Sequence, residues 1–331
     1  MYRVGVIGVG GIGERLAEDV VTNSKMELVA LVDVCEKRLR AAGKRFDVPT
    51  CSMFTDTEDL YTHIDLDAVV IATPPGLHAL QISDALGRGA HVFCEKPLVT
   101  TLEEARDVVD RVEASDRVLM VGYQRHLNPA YVAARDRWQN GDLEPRFITG
   151  AMTQDWKRHF ARGTNWRLDP ELGGGGHLFS VGTHVLEAML WTTGLTPRYV
   201  TAEMDFYDDE RKIDEQSALT VRFDNGAIAS LGDSAIVPST REHLHVWDDG
   251  GAVYLEGTGW KKRGLTVIDT EGIASTPELP EKIPTRMEAF VDAIESGSSP
   301  ATASDALRVT ALLEAAYDAA RTGRRIAVNL E

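Results

Sequence analysis

Short apolar runs alternate with amphipathic stretches through the first 122 residues. The apolar runs are continuous, as in strands that are buried on both faces of a parallel sheet. They cover residues 4–7, 28–32, 66–73, 91–94 and 118–122. The stretches between them repeat apolar residues at helical spacing, over residues 12–21, 36–46, 54–61, 77–89 and 101–113. This alternation predicts a doubly wound α/β domain over residues 1–122.

The pattern changes after residue 122. Helical patterns cover residues 128–140 and 178–193, with a strand pattern at 146–153 between them. Alternating apolar and polar positions then recur at 200–207, 218–223, 227–234, 243–247, 253–256 and 265–268. Because no crossover helix separates these strands, we predict an α+β domain over residues 123–331 with an open, mostly antiparallel sheet. Helical patterns at 286–296 and 303–322 end the chain, and we expect the final helix to pack back on the first domain.

The turn after the first predicted strand carries the G-x-G-x-x-G spacing, as Gly8, Gly10 and Gly13. These glycines permit the tight turn, admit a pyrophosphate to the backbone, and let the helix pack closely on the strand. The helix N-terminus, which includes Gly11 and Ile12, offers free N–H groups to phosphates. Asp33 follows Gly13 by twenty residues, where an acid accepts hydrogen bonds from an adenosine ribose. Together these features predict a Rossmann dinucleotide-binding domain.

The length, composition and net charge of the chain narrow the class of protein. A chain of 331 residues with 43% hydrophobic and 26% charged residues is typical of a soluble protein of two domains. Its net charge of −16 argues against nucleic acid or an anionic membrane as a partner. The three cysteines, Cys35, Cys51 and Cys94, are widely spaced, which suggests a reducing compartment and no metal-ligand motif. With a strand starting near residue 4 and no room for a signal peptide, we expect a cytoplasmic protein.

Five residues lie at the carboxyl end of a predicted strand or just after it. They are Gly8, Asp33, Thr73, Lys96 and Tyr123. Ligands of doubly wound sheets bind at the carboxyl ends of the strands. We therefore expect these residues to converge on one rim.

Four further motifs occur in a fixed order. They are Ala72-Thr73-Pro74-Pro75 with His78, Glu95-Lys96-Pro97, Gly122-Tyr123-Gln124-Arg125, and Gly174-Gly175-Gly176 with Gly182 and His184. Each motif alone is modest. Together with the glycine-rich turn, the ordered set resembles the glucose–fructose oxidoreductase / inositol dehydrogenase (Gfo/Idh/MocA) family over nearly the whole chain.

The resemblance implies an NAD(P)-dependent oxidoreductase acting on a sugar, polyol or inositol-like substrate that lies between the domains. It makes Lys96 a contact of substrate and nicotinamide, His184 the proton acceptor, and Glu95 a support of the cofactor site. The cofactor-binding candidates are Gly8, Gly10, Gly11, Ile12, Gly13, Asp33, Thr73, Pro74, His78, Glu95 and Lys96. The substrate-binding candidates are Lys96, Tyr123, Arg125, His126, Trp156, Trp166, Arg167 and His184. The catalytic candidates are Lys96, His184 and Ser180.

The cofactor and the oligomeric state follow from separate features. Asp33 favours NAD over NADP, because its carboxylate binds a ribose 2′-OH and repels a 2′-phosphate. Lys37 and Arg38 are the nearest cations that could bind the 2′-phosphate of NADP instead.

Helices on one face of the second sheet would leave the other face apolar, with residues 218–223 and 227–234 as candidates for it. We therefore expect a homodimer or homotetramer built on that face.

Two residues depart from the family's pattern. Ser180 stands where the family commonly has Asp, four residues before His184, and His126 stands where a second Arg often follows Arg125. Oxidising a carbinol needs a base, and an imidazole titrates near neutrality, so we interpret His184 as the base. Lys96 would stabilise developing oxyanion charge. Because a serine carries no charge, the proton relay differs from that of the family.

Some alternatives stay open at this point. Ser180 suggests a second function, a cofactor-binding sensor or scaffold without turnover. Asp155 is an alternative base, and the loop that carries Trp156, Trp166 and Arg167 is either a substrate wall or an interface loop. His177 is expected at the surface. His243 and His245 share a strand face, but with no further ligand nearby we expect no metal site.

Overall fold

The fold is described from a computed structural model, which covers residues 1–140, 143–161, 165–208, 210, 212–260 and 263–330. The chain divides into two compact units. Unit 1 comprises Met1–Val99, Glu103–Gly122 and Pro284–Ser304, and unit 2 comprises Thr100–Leu102, Tyr123–Ile283 and Asp305–Glu331. A boundary between these units thus lies between residues 122 and 123, and residues 284–304 return to unit 1.

The helices and strands largely follow the predicted segments. In chain order the strands are β1 (Tyr2–Ile7), β2 (Met26–Val32), β3 (Met53–Phe54), β4 (Ala68–Ile71), β5 (His91–Cys94), β6 (Leu119–Val121), β7 (Pro145–Thr153), β8 (Pro197–Phe206), β9 (Asp214–Phe223), β10 (Ile228–Ser234), β11 (Arg241–Asp248), β12 (Gly251–Thr258), β13 (Arg263–Ile268), β14 (Ala274–Ser275) and β15 (Ile326–Ala327). The helices are α1 (Gly11–Thr22), α2 (Glu36–Phe46), α3 (Thr57–His63), α4 (His78–Gly87), α5 (Leu102–Glu113), α6 (Pro129–Gln139), α7 (Lys157–Ala161), α8 (Pro170–Gly173), α9 (Thr183–Thr193), α10 (Arg286–Ser296) and α11 (Ala303–Thr322).

Unit 1 contains a parallel sheet in the order β3-β2-β1-β4-β5-β6. This is the doubly wound Rossmann arrangement. The last four residues of β1 and all of β4 are buried, which explains why these strands read as unbroken apolar runs. The sequence does not predict β3, because two residues are too short to form a pattern. This strand pairs with the end of β2 and extends the sheet.

The helix that returns to unit 1 is α10 and not the final helix. A capping box of Thr285 and Glu288 begins α10, which packs beside α1, and Phe290 meets Phe93 of β5 edge-on at 5.9 Å between ring centroids. The final helix, α11, instead contributes its apolar face to the core of unit 2. The packing of the final helix on the first domain stays a prediction.

Unit 2 contains a second sheet in the order β14-β13-β12-β11-β7-β10-β9-β8-β15. Neighbouring strands are antiparallel except β7 and β10, which pair in parallel. The mostly antiparallel sheet that the sequence predicts is thus confirmed. One face of this sheet packs on α6, α9 and α11 to form the core of the unit, and every residue of α9 is buried.

The opposite face of this sheet carries an aromatic group from three strands. Phe147 of β7 is 44% exposed and packs against Trp247 of β11, which meets Tyr254 of β12. The expected apolar residues of β9 and β10 lie elsewhere, since Leu219 and Leu231 are buried in the core. Within the described parts of the chain, no helix combines the length and apolar character that a bilayer crossing requires.

Candidate active site

The glycine-rich turn of unit 1 has the geometry that its sequence predicts. Gly8 has a positive φ of 89°, which favours glycine, and a Cβ there would lie 2.8 Å from the Ala72 backbone. A Cβ on Gly13 would lie 1.8 Å from the carbonyl oxygen of Gly8, so α1 packs directly on the turn. A Cβ on Gly10 or Gly11 would meet no atom within 4 Å. The loop is therefore closely packed at Gly8 and Gly13 and open at Gly10 and Gly11.

The open side of this loop fits a dinucleotide phosphate. Gly10 is the N-cap of α1 and supplies no side-chain cap, so the first N–H groups of a helix of 12 residues are left to an external acceptor. Those groups and the positive end of the helix dipole favour an anion. Gly11, Ile12 and Gly13 form the first turn that would hold it.

Asp33 at the end of β2 holds the loop from the side. Its buried carboxylate accepts hydrogen bonds from the N–H of Val9 at 3.0 Å and the N–H of Cys35 at 2.8 Å. Arg38, whose side chain is 53% exposed, forms an ion pair with the same carboxylate at 2.8 Å. The negative charge expected to repel a 2′-phosphate is therefore paired with a cation, which bears directly on cofactor choice.

His78 at the start of α4 joins two loops of the rim. One ring nitrogen, Nε2, lies 2.9 Å from the carbonyl oxygen of Thr73, next to Pro74. The other, Nδ1, lies 3.1 Å and 3.0 Å from the carbonyl oxygens of Pro97 and Leu98. Burial lowers the pKa of His78, and these carbonyls oppose the shift only in part. Expected as a cofactor contact, His78 instead has a buried ring that braces the loops after β4 and β5.

Glu95 and Lys96 follow β5 at the rim. Burial raises the pKa of Glu95, while Arg286 of α10 and Lys96 partly offset the effect. Arg286 donates to Glu95 Oε1 at 3.0 Å and lies 3.6 Å from Asp19 of α1. The residue that sequence reasoning missed here is Arg286, which lies far away in the chain and gives no local signal. Glu95 thus fixes the backbone from which the half-buried Lys96 projects.

In unit 2, the segment before α9 is anchored by a buried carboxylate. Asp214 of β9 accepts hydrogen bonds from the N–H of Gly176 at 3.0 Å and of Leu178 at 2.8 Å, and from the Tyr317 hydroxyl. A Cβ on Gly176 would lie 2.1 Å from the Asp214 carbonyl oxygen, and one on Gly175 would lie 2.4 Å from the Tyr317 hydroxyl. The glycine run therefore permits close backbone packing.

His177 lies in the core and not at the surface. Its side chain is fully buried, and Nδ1 lies 2.8 Å from Asp233 Oδ2. Burial raises the pKa of Asp233 to about 6, although His177 opposes the shift. The expectation of a surface histidine is wrong because the glycine run brings the backbone against β9 and β10. The strand alternation of β10, which turns Asp233 inward, was the signal that could have revealed it.

The helix that carries the candidate base begins with a π-helical turn. Leu178–Gly182 is π-helical, and α9 follows from Thr183. Ser180 lies in the first part and His184 in the second, so the α-helical four-residue register between them does not hold. The position of Ser180 four residues before His184 therefore does not by itself place both side chains on one face. Such π turns occur frequently at functional sites.

His184 is a buried histidine whose ring meets an exposed tryptophan. The Trp260 ring, in the turn between β12 and β13, approaches edge-on with 5.3 Å between centroids and 64° between planes. Trp260 is 49% exposed, and the guanidinium of Arg125 lies 5.7 Å from its ring centroid. Sequence reasoning missed Trp260. A tryptophan in a strand-to-strand turn was the available signal, because its apolar ring has no core to fill there.

Arg125, a candidate substrate contact, is a member of a buried charge network. Its Nε donates to Glu242 Oε1 at 2.9 Å, and Arg263 donates to Glu242 Oε2 at 2.8 Å. The hydroxyl of Tyr131 donates to Glu242 at 2.6 Å. Burial alone would raise the pKa of Glu242, but the two arginines outweigh it and lower the pKa to about 2. The guanidinium of Arg125 is therefore committed to unit 2 itself.

His126 and Tyr123 are buried as well. His126 Nε2 lies 2.9 Å from Glu187 Oε2, and its ring stacks on Trp191 at 4.2 Å between centroids. Burial raises the pKa of Glu187, and His126 partly offsets it. Tyr123 packs on His126 at 5.4 Å between centroids. Both residues contribute to the packing around Glu187 of α9, and their contact with a substrate stays a prediction.

The loop before the glycine run divides into a buried and a partly exposed part. Trp156 is buried and donates from Nε1 to Gln154 at 3.1 Å, and its place in a substrate wall stays a prediction. Arg167 stacks over Trp166 with 4.2 Å from the guanidinium carbon to the ring centroid, and both are half-buried. These two remain candidates, whereas residues 162–164 lie outside the described part. Asp155 is exposed, and its carboxylate accepts a hydrogen bond from the backbone N–H of Lys157 at 3.0 Å.

His243 and His245 are neighbours on one face of β11. His243 and His245 lie 4.9 Å apart between ring centroids, and His245 Nε2 lies 3.1 Å from Glu256. Across the residues that the structure describes, no three His, Cys, Asp or Glu side chains form a group suited to a metal ion.

Two family models match the chain, in the order of its two halves. Residues 2–123 match a model described as an oxidoreductase family with an NAD-binding Rossmann fold. Residues 131–254 match the GFO/IDH/MocA C-terminal domain.

Individual relatives are similar over almost their whole length. A D-xylose 1-dehydrogenase (NADP(+)) of Haloferax volcanii is 27% identical, over 97% of this chain and 98% of its own. A 1,5-anhydro-D-fructose reductase of Ensifer adhaerens is also 27% identical, over 98% of each chain. The crystal structure of an aldose-aldose oxidoreductase from Caulobacter crescentus, complexed with glycerol, superposes with a TM-score of 0.83 at 24% identity, over 98% of this chain and 99% of the other. This last likeness shows a shared fold.

Proposed function

Because the chain belongs to the Gfo/Idh/MocA family of NAD(P)-dependent oxidoreductases, we propose that it interconverts a carbinol and a carbonyl of a sugar, polyol or inositol-like substrate. The two relatives described above are, by name, a xylose dehydrogenase and an anhydrofructose reductase. The observation that carries the proposal is His184, a histidine on a helix whose start is fixed by Asp214 and whose ring borders an exposed aromatic surface. A cofactor-binding sensor without turnover has no comparable support.

The residues of the chain divide the chemistry among them. When bound, the nicotinamide supplies or accepts the hydride. His184 takes the hydroxyl proton during oxidation and returns it during reduction. Lys96 stabilises the developing alkoxide, and its backbone is fixed by Glu95 and Arg286. The buried position of His184 keeps bulk water away from the proton it carries.

The experiment that tests this proposal is a substrate screen. Pyranoses, pentoses, hexitols and inositols are supplied with each of NAD and NADP, and the matching carbonyl compounds with the reduced cofactors. We expect substrate-dependent change in absorbance at 340 nm with members of at least one of these classes. Binding of cofactor by titration, without turnover of any compound in either direction, would contradict the proposal and favour the sensor.

For the cofactor, we infer that Asp33 and Arg38 together set the choice and that NADP(H) is accepted alongside NAD(H). The ion pair neutralises Asp33, and the half-exposed Arg38 guanidinium suits a 2′-phosphate. Asp33 alone would favour NAD, but the Arg38 guanidinium beside it offsets that preference. Arg38→Ala should raise the Kd of NADP(H) at least tenfold and change the Kd of NAD(H) by less than threefold. An equal change for both cofactors would contradict the inference.

We also propose that the protein is a homodimer or homotetramer built on the aromatic face of the second sheet. Phe147, Trp247 and Tyr254 form a contiguous apolar surface on the side that helices do not cover. A second copy of this face would bury these rings by two-fold symmetry. Light scattering should give a multiple of 36.3 kDa, and Phe147→Asp should shift the mass towards that of one chain. A native mass of one chain at micromolar concentration would end this proposal.

The cytoplasm remains our proposal for the location. Cys35, Cys51 and Cys94 are free thiols, which suits a reducing compartment. Fractionation of the source cells tests it, and recovery outside the cytoplasmic fraction would contradict it.

A further inference from the structure

We propose that Trp260 is a stacking platform for the substrate and that it selects ring-form sugars or cyclitols over open-chain polyols. The inference rests on the proposed function, since it assumes that the substrate lies at His184. It goes further by assigning a residue outside every motif of the sequence and by choosing among the substrate classes.

The position of Trp260 is unusual for a tryptophan that only packs. The residue stands in the turn after β12, yet about half of its side chain is exposed. Tryptophan is highly buried on average, so a large exposed indole points to a ligand or a partner. Unlike the exposed rings of the sheet face, this one contacts the candidate base itself.

The indole is held from two sides. The His184 ring meets it edge-on at 5.3 Å, and the Arg125 guanidinium lies 5.7 Å from its centroid. Arg125 is fixed in turn by Glu242, which also binds Arg263. A platform anchored in this way loses little conformational freedom when a ligand stacks on it, which favours affinity.

The chemistry of the exposed surface favours a ring. The face of an indole is electron-rich, and a pyranose or an inositol presents C–H groups together on one flat side. An open-chain polyol has no fixed flat side and must give up rotational freedom to form one. Stacking beside His184 would also bring a ring hydroxyl to the base. Trp260 therefore provides a physical reason for preferring cyclic substrates.

The test compares Trp260→Leu and Trp260→Phe with the wild type on matched ring and open-chain substrates, such as glucose against glucitol. Trp260→Leu should raise the KM of ring substrates about tenfold or more and leave kcat and the KM of open-chain substrates within about threefold. Trp260→Phe should retain most of the affinity. Tyr207→Leu is the matched control, because Tyr207 lies in the same unit and is 47% exposed.

Three results would overturn the inference. The first is an unchanged KM for ring substrates in Trp260→Leu. The second is an equal loss for ring and open-chain substrates. The third is a change in oligomeric mass without a change in KM, which would make Trp260 an interface residue.

A binding measurement separates this inference from the proposed function. Calorimetric titration of glucose and myo-inositol into the protein saturated with reduced cofactor does not require turnover. Binding by the wild type that Trp260→Leu loses supports the platform even if no substrate is turned over. A wild type that neither binds nor turns over any ring compound would contradict the platform.

Discussion

The ion pairs of the two units differ in their exposure to solvent. In unit 1, the carboxylate of Asp33 lies at a strand end and is paired with a half-exposed arginine, so the pair borders solvent. In unit 2, Glu242 is buried with Arg125 and Arg263 and joins helix α6 to the sheet through Tyr131. Charges at the rim of the first sheet remain available to a ligand, whereas those of the second serve the fold. This difference shows that an arginine of a sequence motif can form a buried ion pair as well as border solvent.

The largest expected effect tests the buried network. Glu242→Ala removes the shared acceptor and leaves two buried guanidinium groups without it. Removing one partner of a buried ion pair typically costs about 3–5 kcal/mol. Urea denaturation should show a loss of that size. A loss below about 1 kcal/mol would mean that water or another acceptor satisfies the arginines.

The next effect is a pH dependence of stability at Asp233. The folded-state pKa is raised to about 6 from an ordinary 3.8, so the folded protein holds this proton more tightly than the unfolded chain does. The contribution of Asp233 to the free energy of unfolding is therefore largest below pH 3.8 and falls as the pH rises towards 6. The difference between the folded and unfolded pKa corresponds to about 3 kcal/mol of unfolding free energy.

Asp233→Asn isolates that contribution. The free energy of unfolding of the wild type, minus that of the variant, should decrease between pH 4 and pH 6. A difference that stays constant over this window would show that Asp233 does not titrate there. Because Asn retains a hydrogen bond to His177, the comparison changes charge and little else.

A smaller effect concerns the π-helical turn. If Ser180 lies close to the base, Ser180→Asp favours the imidazolium, and the acidic limb of the pH–rate profile moves to higher pH. A displacement of about one pH unit is the upper range that we expect for a half-buried position. Ser180→Asn is the uncharged control. A limb that does not move in either variant would show that the π turn separates the two side chains.

The smallest effect completes the comparison. Arg38→Ala breaks the ion pair of unit 1, but its side chain is 53% exposed. Exposed pairs contribute about 0–1 kcal/mol, so the variant should unfold at nearly the wild-type urea concentration. A loss as large as that of Glu242→Ala would erase the contrast between the units.

The same contrast explains how far the sequence could be interpreted. The rim of unit 1 follows from local patterns, because Gly8, Asp33 and Lys96 come directly after apolar runs. The arrangement around Arg125 and His177 depends on Glu242 and Asp233, which are contributed by strands about 117 and 56 residues away. No local pattern carries such a pairing. The π turn is likewise invisible, since it leaves the apolar spacing of a helix nearly unchanged.

The most direct test of the account is the activity of His184→Ala on a substrate found by the screen. Removing a general base should lower kcat by about 10²–10⁴-fold, while the Kd of the reduced cofactor, measured by its fluorescence, stays within about threefold. His63→Ala, which removes an exposed histidine from α3 of unit 1, should retain wild-type kcat. A His184→Ala variant with near wild-type kcat and unchanged cofactor affinity would contradict the assignment of His184 as the base.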